Sequence, residues 1–239
     1  MNAARNIDVS IVIPVLADAP ALSTLLETLR RAADAPLEII VVDGAADPAI
    51  AELCRQYACR YMQCRAGRGH QLHTGALQAA GDIIWFLHAD AVPPPDGIES
   101  IRRAVRAGAI GGCFRFRFSG PSKRRKSLVA ALINIRCRIG IPYGDQGLFI
   151  RRNTYVDTGG FADTAVFEEV PLVRATRAAG RFVYLEAPIG VSPRRWERDG
   201  WLRRTIENRL LAFGYMIGLS PNTLARFYGA AAHKSQPEC

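Results

Sequence analysis

A chain of 239 residues, 49% hydrophobic and 22% charged, has the composition of a globular protein, which excludes intrinsic disorder and collagen-like repetition and leaves room for a buried core. Its 31 Lys and Arg against 22 Asp and Glu give a formal charge of +9 and a pI near 9.6, so an anionic partner is favoured: nucleic acid, phosphorylated substrate or acidic lipid. The six cysteines (Cys54, Cys59, Cys64, Cys113, Cys137 and Cys239) form no C-x-x-C pair, which argues against zinc-ribbon and thioredoxin-like chemistry and for reduced thiols.

From Met1 through Arg5 to Asp8 there is no signal-peptide core, and no uninterrupted apolar run reaches the roughly 18 residues of a membrane span, so a cytoplasmic protein is expected. Val9 to Val15 reads as a strand, and Asp18-Ala19-Pro20 as a helix start with a carboxylate cap and an early proline. Leu22, Leu25, Leu26 and Leu29 then recur at helical spacing, opposite Glu27, Arg30 and Arg31. Leu37 to Val42 is a β-branched run closed by Asp43-Gly44, as in a parallel strand covered on both faces. A helix over Pro48 to Tyr57, a short strand over Arg60 to Gln63, a helix over His70 to Ala80 and a strand over Ile83 to Leu87 continue the alternation, which predicts a right-handed β-α-β sheet.

Pro93 to Pro95 introduce a helix through Val105, and Gly111 to Phe118 reads as a mixed-sheet strand. Ser119 to Lys126, with four consecutive basic residues from Lys123, reads as a solvated loop. Leu128 to Ile139, Glu168 to Ala179 and Leu202 to Ile217 are the remaining candidate helices. With no repeat or flexible linker, one domain is expected over 1–239.

Ligands of an open parallel sheet bind outside the carboxyl ends of its strands. Here Asp18, Asp43 and Asp90 stand at three such ends, while Pro14 and Leu16 occupy the turn where a dinucleotide site needs glycines. A carboxylate rim suits a divalent cation bridging a diphosphate, or hydrogen bonds to a nucleoside.

The opening Ile-Val-Ile-Pro, then Val-Val-Asp-Gly, Leu-His-Ala-Asp, Gly144-Asp145-Gln146-Gly147-Leu148-Phe149, Gly159-Gly160-Phe161 and Arg194-Arg195-Trp196-Glu197 occur in an order that resembles glycosyltransferase family 2, in a compact subgroup, from about Ile7 to Tyr228. The resemblance implies a GT-A-like α/β fold: a mixed, mainly parallel, Rossmann-like sheet flanked by helices, with C-terminal helices. It implies a nucleotide-sugar-binding half over about 7–118 and an acceptor-side half over about 119–229. It further implies an inverting transfer of sugar from a nucleotide-diphosphate sugar to a hydroxyl acceptor, a lipid among the candidates, with a divalent metal, Mn or Mg, as cofactor.

Carried over by position, the resemblance puts Pro14, Asp18 and Asp43 beside the nucleoside and Asp90 last in a D-x-D-like metal element, whose first position is His88, as metal ligand or phosphate partner. Arg68 reaches the diphosphate or is a surface residue. Asp145 and Gln146 touch sugar or acceptor. Arg195 and Trp196 face phosphate and sugar, with core packing the alternative for Trp196. The family's base, an Asp after Gly-Gly-Phe, is here Glu169 in Glu168-Glu169, a pair whose plainer role is to cap a helix. Ala45-Ala46, His73, Glu169 and Pro171 depart from the family pattern, so a catalytically drifted binding protein at an acidic membrane surface stands as the alternative. No basic patch interleaved with aromatics is present, so nucleic acid is not expected. Leu202 to Ile217 carries arginines and large apolar residues, which suits peripheral contact with the inner face of a membrane or packing within the domain or a homodimer.

Overall fold

The computed structural model describes residues 7–32, 34–121 and 124–226; Met1, Arg5, Lys123, Cys239 and positions 227–229 lie outside the described residues. The first half alternates strand and helix: β1 (Val9–Val15), α1 (Ala19–Arg30), β2 (Glu38–Asp43), α2 (Pro48–Gln56), β3 (Arg60–Gln63), α3 (Arg68–Leu77), β4 (Ile83–Phe86), α4 (Gly97–Arg106) and β5 (Gly111–Phe118). The second half contains α5 (Arg124–Ile139), a single 3-10 turn over Gly144–Gln146, β6 (Phe149–Arg151), α6 (Arg152–Asp157), α7 (Glu169–Ala179), β7 (Phe182–Val191), α8 (Arg194–Asp199) and α9 (Trp201–Met216).

Local chemistry explains the early helix starts. Asp18 Oδ1 accepts from Ala21 N at 3.3 Å, and Asp47 Oδ1 accepts from Ala49 N at 2.9 Å, each beside a proline in the first turn. The sheet has seven strands in the order β3-β2-β1-β4-β6-β5-β7. β1 to β4 run parallel, β6 is antiparallel to both β4 and β5, and β7 is parallel to β5. This is the expected mixed, mainly parallel α/β architecture.

Side chains along β1 divide between the faces with period two. Ile11, Ile13 and Val15 join one buried cluster with Leu22, Leu25, Ile50 and Ile101, and Val12 joins the opposite cluster with Leu72, Tyr155, Leu172 and Val173. On that second face α3 lies close to the sheet: a Cβ on Gly75 would come within 2.5 Å of Val12 Cγ1 and 2.9 Å of Val42 Cγ2. Gly75→Ala is therefore expected to cost about 1–3 kcal/mol of stability, measured by urea unfolding, although alanine favours helix by about 1 kcal/mol. A stabilised variant would contradict that close approach.

The basic run departs from its expected loop. Arg124 to Lys126 form the first turn of α5, and Lys126 is buried, with Nζ 3.3 Å from both the Ser119 carbonyl and Glu197 Oε1. Arg125 lies 5.4 Å over the Trp201 ring. These partners are remote in sequence, so the charge run alone does not reveal them. β6, α6 and β7 were not expected from the sequence: the first two are short, and β7 carries Pro188 where the β5–β7 register slips.

Candidate active site

The carboxyl ends of β1 and β4 open into a cleft of about 890 Å³ lined by Pro14, Asp18, Arg68, His88, Asp90, Asp145, Glu169, Arg194, Arg195 and Trp196. Nine of the eleven expected site residues, with Arg194 beside them, thus share one cavity. Asp43 and Gln146 are fully buried and stand behind its wall. The Asp43 carboxylate holds the loop after β2, accepting from Ala45 N at 2.8 Å, Asp47 N at 2.6 Å and the Tyr61 hydroxyl at 3.1 Å. That loop includes Ala46 at φ +56°, a left-handed conformation unusual for alanine.

Two residues outside the expected set shape the rim. Gln71 Nε2 donates to the Val15 and Val42 carbonyls, each at 2.8 Å, and so ties the ends of β1 and β2 together. Arg136, from the last turn of α5, stacks 3.8 Å over Tyr143 and offsets part of the rise that burial imposes on the Asp145 carboxyl, yet in the sequence it is only one more basic residue near a helix C-terminus. His73 lies elsewhere: its Nδ1 is 3.0 Å from the Tyr155 hydroxyl.

The acidic pair is placed by glycines. Gly159 and Gly160 have φ of +80° and +71°, and a Cβ on Gly160 would stand 2.7 Å from the Tyr155 hydroxyl, which also accepts from Phe161 N at 3.2 Å. The loop closes where Ala162 N donates to the Glu168 carbonyl at 3.1 Å. A Cβ on Gly69 would meet the Ala162 carbonyl at 2.4 Å, so the bare backbone at the start of α3 lets this loop lie against it. The arrangement pairs Arg68 with Glu168 and sets Arg68 Nη2 3.7 Å from Glu169 Oε2. Arg68 is thereby turned toward the acids. Phe167, at φ +60°, precedes the pair and packs on Tyr143 and Tyr215.

Glu169 is buried at the first turn of α7, and its Oε1 accepts from Gly144 N at 3.2 Å. Burial, and then the like charge of Glu168, push Glu169 up to about 7, while Arg68 pulls in the other direction. Burial raises the Asp145 carboxyl, partly offset by Arg136, Arg68 and Arg195. His88 moves the opposite way, down to about 3, because burial, Arg68 and Arg195 all disfavour its cation. Its Nε2 is buried with no hydrogen-bond partner among the described residues. At the open side, Arg194 Nη2 bridges Asp18 Oδ2 at 3.1 Å and Asp90 Oδ2 at 3.4 Å. Trp196 both lines the cleft and packs edge-on to Phe118, with ring centroids 5.0 Å apart.

The set can receive a divalent cation in one limited way. Among the described residues there is no cluster of three or more His, Cys, Asp or Glu side chains that would hold an ion unaided. A neutral imidazole with an orphaned nitrogen and the Asp90 carboxylate are nevertheless suitable donors for an ion whose other ligands come from substrate phosphate and water.

The family model for glycosyl transferase family 2 matches residues 10–169. No curated protein matches the sequence. Among solved structures, the mannosyltransferase PcManGT from Pyrobaculum calidifontis, in complex with GDP-Man and Mn2+, superposes with TM-score 0.66 at 19% identity, over 87% of this chain and 63% of that one. Glucosyl-3-phosphoglycerate synthase from Mycobacterium tuberculosis, with Mn2+, UDP and glucosyl-3-phosphoglycerate, gives 0.58 at 18% identity, over 77% and 71%. S. aureus TarS 1–349 gives 0.60 at 18%, over 75% of this chain and 58% of that one. The chain thus spans less than two thirds of the length of the first and third of these, and all three share its sheet architecture. With two thirds of its length matched by the family model, the chain belongs to glycosyl transferase family 2.

Proposed function

We propose that this chain transfers a sugar from a nucleoside diphosphate donor to a hydroxyl acceptor with inversion at the anomeric carbon. The observation that carries the reading is a buried glutamate, Glu169, raised toward neutrality at the wall of the cleft that also holds Asp18, Asp90 and Arg195. A carboxylate tuned near the working pH can accept a proton and release it again. In the step proposed, the acceptor oxygen attacks the anomeric carbon and its proton passes to Glu169 Oε2. The bond from that carbon to the diphosphate breaks, and the diphosphate leaves with the electron pair. Arg194 and Arg195 supply positive charge on the leaving-group side. Asp90 and His88 would hold the divalent cation, Mn or Mg. When bound, it neutralises the charge that develops on the diphosphate.

Asp18 and Pro14 border the donor end, Asp43 acts from behind by shaping the loop after β2, and Asp145 lies under the sugar with Gln146 buried behind it. The acceptor end is bounded by Val129, Leu132, Ile133, Phe167 and Leu211, which suits an acceptor with a hydrocarbon part such as a lipid.

Calorimetric titration with UDP, GDP and dTDP, each with and without manganese, tests the donor site. The expected result is binding of one nucleotide that requires manganese and weakens at least about tenfold in Asp90→Ala. Absence of binding by every nucleotide at millimolar concentration overturns the reading in favour of a family member retained for binding alone.

A further inference from the structure

The two helices that flank the acceptor end of the cleft are apolar on both sides. α5 turns Val129, Ala130 and Ile133 inward against Phe116, Phe118 and Trp196, yet Leu128, Leu132 and Ile135, spaced i, i+4 and i+7, face outward. α9 buries Arg204 and Gly214, while Leu202, Ile206, Leu210 and Phe213, spaced i, i+4, i+8 and i+11, form an outward row continued by Ile217. Leu202 is 76% exposed and Leu210 64%. Isolated exposed leucines need no explanation, but two exposed rows on helices that line the same cleft, joined where Arg125 lies over Trp201, amount to more apolar surface than a monomer in water usually shows.

The charges on these two helices are mainly positive. α5 has no carboxylate and carries exposed Arg124, Arg125, which lies over the Trp201 ring, and Arg138, which pairs with Glu186 of β7. α9 carries exposed Arg203 and Arg209, and its one carboxylate, Glu207, lies 2.8 Å from Arg203 Nε and 3.7 Å from Arg204 Nη1. A second copy of the chain would bring these arginines against one another with no free acid between them. A nucleic acid would use the arginines and leave the leucine rows in water. Apolar rows set among cations instead match a surface whose anionic headgroups cover hydrocarbon.

We propose that the α5–α9 face docks on the surface of an anionic lipid bilayer, with Leu128, Leu132, Leu202, Ile206, Leu210 and Phe213 entering the headgroup region. Among the described residues no helix is long and apolar enough to cross a membrane, so the contact is interfacial. Leu132 and Arg209 belong both to this face and to the lining of the cleft, so docking turns the acceptor end toward the headgroups. A lipid-borne hydroxyl could then enter without leaving the bilayer, a consequence that rests on the sugar-transfer reading, whereas docking itself does not.

Cosedimentation of the full chain with vesicles of phosphatidylcholine, with or without phosphatidylglycerol, tests the proposal. The expected result is pelleting with the anionic vesicles that falls at least about tenfold on plain phosphatidylcholine or in high salt. The double variant Leu210→Glu/Phe213→Glu, both exposed and neither lining the cleft, should lose pelleting about tenfold or more while keeping its thermal midpoint and nucleotide binding. No pelleting with any vesicle overturns the proposal, as does a double variant that pellets like the native chain. Sedimentation velocity supplies a third check: a native dimer that the double variant dissociates assigns the face to a second copy instead. Nucleotide binding on the same samples reports on the donor site separately, so failure of one reading is not mistaken for failure of the other.

Discussion

Glu169→Gln is expected to lower kcat by about 10²–10⁴, the usual contribution of a positioned general base, with little change in nucleotide affinity. The amide keeps the shape of the side chain and can still accept from Gly144 N, but it cannot take a proton. The pH profile carries the sharper signature. With the native base raised to about 7, activity should climb as pH rises through that value, and the variant's residual activity should lack this limb. Stability should move in the opposite sense. Because folding raises the pKa of Glu169, the folded state holds that proton more tightly than the unfolded chain, so its contribution is full at low pH and is lost as pH rises through about 7. Glutamine has no such loss. The thermal midpoint of Glu169→Gln should therefore gain on the native protein between roughly pH 5 and 8. A variant that keeps native kcat, or the native acid limb, removes Glu169 from the role of base.

The elements of the first half were legible because their signals are local. Val9 to Val15 is bounded as expected, since a strand buried on both faces must be almost continuously apolar, and α1 and α2 begin at Asp-x-Pro or Asp-Pro caps that function within four residues. The site was legible in part for the same reason: residues at strand ends share one rim whatever the helices do, so Pro14, Asp18, His88 and Asp90 meet in the cleft. What the sequence hides are partners distant along the chain. Nothing near Arg68 in the sequence shows that Gly69 admits the Glu168 loop against it, and nothing near Asp43 shows that the Tyr61 hydroxyl joins the two loop amides around its carboxylate. The same holds for Lys126, whose burial depends on Glu197 and the Ser119 carbonyl.

Arg68→Met is expected to shift the acid limb of the activity profile upward by about one pH unit or more and to cost about 2–3 kcal/mol in urea unfolding. The reasoning starts from the surroundings of the guanidinium. Its partners Glu168 and Glu169 are 1% and 2% exposed, so removing it leaves two adjacent buried carboxyls without their cation. The stability cost is set below that of a fully buried pair because the Arg68 side chain is itself 39% exposed and partly screened by water. Arg68 opposes both burial and Glu168 in setting the pKa of Glu169, so its loss lets the base bind its proton more tightly and demands a higher pH for activity. Arg68→Lys should recover most of the pH shift, since the charge returns, but less of the stability, since one ammonium cannot reproduce the spread of a guanidinium over two acids. If Arg68 acted instead on the diphosphate, its loss would appear as a raised donor KM with the acid limb unmoved. Measuring kcat and KM across pH for the native chain and both variants separates a positioning role for Arg68 from a donor-binding one.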